Sequence, residues 1–70
     1  INQTVNVFQF GVDNWKYLLD WNNSHGVLNM TEIQFVKVAI DIEKGKIPSD
    51  KQSAKIMLVL NHAREEGFPK

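Results

Sequence analysis

Apolar and polar positions divide the chain into a leader and three helical stretches. In residues 1–12, Val5, Val7, Phe8 and Phe10 recur at close to a period of two, and Gly11 interrupts them. That spacing predicts an extended leader. A single strand has no partner in so short a chain. It must dock on the helices, pair with a second chain or continue a sheet in a larger protein. From Asp13 to His25, the residues Trp15, Leu18, Leu19 and Asn22 follow the i, i+3, i+4, i+7 spacing of one helix face, with Trp21 at its edge. Asp13 is placed to cap the start of this first helix. Lys16 and Asp20 are spaced as an i, i+4 pair on its other side. His25 falls in the last turn, where a cation is favoured, and Gly26 can take the left-handed position that ends the helix.

A second helix is expected to begin at Thr31, with Thr31 and Gln34 as a capping box and Met30 and Phe35 as a hydrophobic staple. Ile33, Phe35, Val36, Val38, Ala39, Ile40 and Ile42 cover more than half of its circumference. Gln34, Lys37, Asp41 and Lys44 share the remaining polar stripe. So wide an apolar face requires burial on two sides and makes this the central helix. Gly45-Lys46-Ile47-Pro48 breaks the chain. A third helix restarts behind a Ser49–Gln52 capping box, with Ile56, Val59, Leu60 and Ala63 on its core face. Gly67 can end it in a left-handed turn, Phe68 can make the apolar contact of that cap, and Pro69 cannot continue the helix. The expected architecture is all-α: a compact three-helix bundle or helix-turn-helix-like array over 13–70, behind the leader at 1–12.

Composition narrows this further. The chain has 70 residues, which bounds it to one domain. A domain of this size has a stability of about 3–5 kcal/mol unless it is stapled. There are no cysteines, so disulfides and thiolate metal sites are excluded, which agrees with a cytoplasmic setting. Zero formal net charge with 43% hydrophobic residues excludes the composition of disordered chains. The charge balance gives no general reason to expect a nucleic acid or an acidic membrane as partner. No apolar run approaches the roughly 20 residues of a membrane span, and no signal segment is recognisable. The chain begins at Ile1, which reads as a segment of a larger protein. Asn2-Gln3-Thr4, Asn22-Asn23-Ser24 and Asn29-Met30-Thr31 fit the glycosylation pattern, as an Asn-rich chain readily does by chance.

Candidate chemistry is sparse. His62 with Glu65 or Glu66 has helical spacing, but with no cysteine and no third histidine it reads as a solvated face rather than a metal site. Ser24, Ser49 and Ser53 have no histidine–carboxylate arrangement beside them, and the glycines are scattered rather than gathered into a phosphate loop. No catalytic, cofactor or metal residues are assigned, and the chain is expected not to be an enzyme. Among the aromatics of the first helix, Trp15 reads as core, whereas Tyr17 falls off the apolar face. Met57 and Leu58 likewise lie off the core face of the third helix, unless the leader covers them. Tyr17, Met57 and Leu58 are therefore the expected protein interface. Lys44, Lys46, Lys51 and Lys55 surround the start of the third helix, opposed only by Asp50. With Ser49 and Gln52 they resemble the opening of a recognition helix, which makes DNA contact the alternative reading.

Trp15, Trp21, Gly26-Val27-Leu28, Glu32, Ile47-Pro48-Ser49, Gln52, Ile56, Leu60, Ala63 and Gly67-Phe68 form a spacing over residues 14–68. It resembles the carboxy-terminal helical segment of bacterial AIPR proteins, the abortive-infection phage-resistance family. The family pattern has a glycine after the second tryptophan, where this chain has Asn22. The resemblance implies cytoplasmic antiphage defence, with any nuclease-like chemistry lying upstream in a longer protein. It brings no catalytic or binding residue to this segment. The expected function is a non-catalytic accessory module making protein or domain contacts, with no membrane partner.

Overall fold

Helix begins almost at once. The computed structural model describes residues 3–70, and Gln3–Phe10 forms the first helix, α1. The expected extended leader is therefore corrected over this stretch, while Ile1 and Asn2 lie outside the described residues. The physical reason is the absence of a strand to pair with: a helix satisfies the backbone amides within the segment. The segment also contains a helical stripe, because Thr4, Val7 and Phe10 recur every three positions. Val7 is fully buried, and Thr4 Oγ1 lies 2.8 Å from Ser53 Oγ.

Gly11 alone separates α1 from α2, Val12–His25, and its φ of 91° allows the sharp change of direction. The Gly11 carbonyl accepts the amides of Asn14 and Trp15, both at 3.1 Å. Gly11 rather than Asp13 thus occupies the N-cap, and Asp13 sits inside the first turn. α2 ends at Gly26, in the left-handed conformation expected of it, with its amide on the Asn22 carbonyl at 2.7 Å. Lys16 does not pair with Asp20; its ammonium reaches Glu43 at 3.0 Å.

The third helix, α3, spans Met30–Ile40, and its cap differs from the expected one. Asn29 is the N-cap: its side chain accepts the Glu32 amide at 2.8 Å, and Glu32 Oε1 accepts the Asn29 amide at 3.1 Å. Both Asn29-x-x-Glu32 and Thr31-x-x-Gln34 satisfy the capping-box pattern. The choice is made by Asn22, whose Oδ1 accepts the amides of Val27 at 2.9 Å and Leu28 at 2.8 Å and so fixes the turn leading into α3. Met30 becomes the first helical residue, 72% exposed, and not a staple.

After Ile40 the backbone tightens into one 3₁₀ turn, Asp41–Lys44. The last helix, α4, spans Asp50–Glu65 behind the expected Ser49–Gln52 box. Its end is a complete Schellman cap: Phe68 N–H bonds the Ala63 carbonyl and Gly67 N–H the Arg64 carbonyl. Gly67 takes φ 106°, and Phe68 turns back into the core, 4% exposed.

As expected, α3 is central to the array, packed on α2 and on α4. α1 closes the other side by packing against α4 and, less extensively, α2. The fold is all-α, with four α-helices among the described residues where three were expected. Trp15, Leu18, Val36, Ile56, Leu60 and Val7 are fully buried and join all four helices in one core. The Cα radius of gyration of 11.0 Å matches the value of about 11 Å expected for a single domain of this length.

Candidate functional site

The three expected interface residues separate. Tyr17 is 41% exposed, but one side of its ring rests on Phe68, centroids 5.5 Å apart. Met57 is partly buried against the core, which removes it from the open surface. Leu58 remains outside at 65% exposure. Of the three, Leu58 alone keeps most of its surface in solvent. α1 brings up two outward apolar residues, named in the extended leader but not in the expected interface, Val5 and Phe8, one turn apart and 52% and 46% exposed. Their i, i+3 spacing was the available signal, but it carries meaning only once the segment is a helix. Phe10 turns inward instead, onto Trp15 at 4.5 Å and Phe68 at 6.5 Å.

The lysines surround the start of α4 as expected, but their neighbours are committed. Ser49 and Gln52 hold each other's backbone amides in the cap. Asp50 accepts a hydrogen bond from Thr4 Oγ1. Lys55 lies over the Phe35 ring at 5.7 Å, and Lys44 is 3.9 Å from Asp41. Lys51 is exposed, and Lys46 lines an open cleft of about 290 Å³ with Val38, Asp41, Ile47, Pro48 and Gln52. Ser49 Oγ and Gln52 Oε1 are therefore engaged in capping the helix, and α1 and α3 pack against α4.

Both imidazoles have structural partners. His25 Nδ1–H donates to the Trp21 carbonyl at 2.8 Å, and the ring stacks on Trp21 at 4.5 Å. This anchors the last turn of α2, in keeping with the helix-end role expected of His25. His62 Nδ1 bonds Glu32 Oε2 across the α3–α4 contact at 2.7 Å. Glu65 and Glu66, the partners considered for His62, act on it only as nearby charges. The hydrogen bond that His62 makes to the Glu32 carboxylate holds the His62 pKa above its ordinary 6.5. Removal from water opposes this, and the charges of Glu32, Glu66 and Glu65 add to it.

Ser53 is buried against Thr4. Of the Asn-x-Ser/Thr sites, Asn22 is buried with its carbonyl oxygen bonded to two amides, and Asn29 is spent as a cap. Among the described residues, no group of three or more His, Asp or Glu side chains is placed to share a metal ion, and no helix is long and apolar enough to cross a membrane. No family model, curated protein or solved structure matches this chain.

Proposed function

We propose that this chain is a non-catalytic accessory module that makes protein–protein or intramolecular domain contacts through the exposed apolar side chains of α1 and α4. The observation that carries the reading is the outward exposure of Val5, Phe8 and Leu58 on these two helices while the core behind them is filled. A contiguous exposed apolar patch marks a place where another surface is accommodated, and these side chains are its candidates here. A bacterial, cytoplasmic antiphage setting is proposed on the AIPR resemblance alone. The residues that carry that resemblance serve here as core (Trp15, Ile56, Leu60) and caps (Ser49, Gln52, Gly67), so they supply a setting and no mechanism.

The test is Phe8→Ser combined with Leu58→Ser, two exposed positions whose loss leaves the core intact. Sedimentation from micromolar to millimolar concentration is expected to show association that the double variant weakens at least tenfold, with the melting temperature little changed. Where the module serves a longer chain, the same substitutions are expected to raise amide exchange across the contact. A strict monomer whose substitutions change neither quantity would overturn the proposal.

DNA contact is kept as the second reading because Lys46 and Lys51 stay exposed beside the amino terminus of a long helix. With Ser49 and Gln52 occupied and no arginine in the cluster, it ranks below the first. Titration with duplex DNA at low salt is expected to show no binding. Binding whose salt slope falls by about two in a Lys46→Gln, Lys51→Gln variant would reverse this order.

A further inference from the structure

We propose that Glu32 and His62 form a proton-operated latch between the start of α3 and the last turns of α4. The inference rests on the fold and is independent of the proposed contact surface. Glu32 uses its two oxygens differently. Oε1 accepts the Asn29 amide and completes the α3 cap, whereas Oε2 takes the His62 ring nitrogen. One carboxylate therefore joins a helix start to a residue 30 positions away. Asn29 in turn follows the turn that Asn22 holds through Val27 and Leu28, so the α2–α3 connection, the α3 cap and α4 meet at this point. The Glu32 side chain is 19% exposed and that of His62 42%, so the pair is sheltered yet open to protons from solvent.

The charged groups acting on His62 are Glu32 from α3 and Glu65 and Glu66 from its own helix, all acidic. Each favours the imidazolium. Protonated, His62 donates a charge-assisted bond to Glu32. Neutral, it keeps at most an ordinary bond, and the latch loosens. Because the folded pKa is raised, the latch contributes in full below the ordinary value of 6.5, and the contribution is lost as pH rises from there through the folded pKa. Solvent around the half-open imidazole screens the pair, so its strength falls with added salt.

The experiment follows amide exchange in the whole chain by NMR from mildly acidic to mildly alkaline pH, with intrinsic rates divided out, beside the imidazole titration. Protection of the amides of Glu32 and Ile33 is expected to fall as pH rises, tenfold for each pKa unit separating the latched from the open histidine. The core amides of Ile56 and Leu60 are expected to change less, because the opening is local. Glu32→Gln is expected to lower the His62 titration midpoint. His62→Gln, which keeps a donor and cannot titrate, is expected to make protection at Glu32 independent of pH. The wild-type measurement stands alone if either variant fails to fold. Protection that is flat with pH in the wild-type chain, or that still varies in His62→Gln, would overturn the latch, as would an unchanged midpoint in Glu32→Gln.

Discussion

Trp15→Ala is expected to leave the domain largely unfolded at 25 °C. Trp15 is completely buried, packs at a tilt against the Phe10 ring and donates its indole N–H to the Val7 carbonyl at 3.0 Å, so it holds α1 to α2 from inside the core. Truncating a buried tryptophan costs about 3–5 kcal/mol. A domain of this size without disulfides has about the same amount to lose, 3–5 kcal/mol. The balance is near zero, and far-UV circular dichroism with amide NMR should report a mostly denatured chain. Trp15→Phe separates packing from hydrogen bonding. It keeps an aromatic ring in the core but strands the Val7 carbonyl, at about 1–3 kcal/mol. The corresponding fall in melting temperature is on the order of 10 °C. A Trp15→Ala protein that melts within a few degrees of wild type would show that α1 and the indole are dispensable to the core.

Asn22→Ala should destabilise by about 2–4 kcal/mol, from the two backbone amides that lose their acceptor. Asn22 is 6% exposed, and its single oxygen receives both Val27 and Leu28. Water does not easily reach the Leu28 amide, since Leu28 is itself buried in the core, while Val27 is half-buried. Asn22→Asp keeps the acceptor and is expected to retain most of the stability at neutral pH, well above the alanine variant. Urea unfolding of the three proteins measures the order directly. Equal losses in the aspartate and alanine variants would mean that side-chain fit, not the paired amides, sets the requirement at this position.

Much of the architecture was legible along the chain. The broad apolar face of residues 33–42 announced a helix packed on two sides, and α3 lies between α2 and α4. The Ser49–Gln52 box and the Gly67–Phe68 cap were readable because their partners are at most five residues apart. The misreadings have the same origin as one another. Two overlapping capping boxes compete at the start of α3, and local spacing ranks them equally; a loop contact from Asn22 decides. Lys16 chose Glu43 over the nearer Asp20 because the 3₁₀ turn brings that carboxylate to its ammonium group. Met57 lies away from the centre of α4's core face, yet it packs on the core.

The two caps of α4, the Gly26 end of α2 and much of the core followed from interactions spanning a turn or so, which periodicity and residue chemistry encode directly. Whether residues 3–10 coil or extend, which polar groups pair across 27 to 49 positions, and which apolar side chains remain outside were decided by the assembled helices alone. The physical reason is that a strand needs a neighbour and a hydrogen bond needs its partner within about 3 Å. Only the packed chain brings Thr4 to Ser53 or His62 to Glu32, and only it covers Phe10 while leaving Phe8 in water.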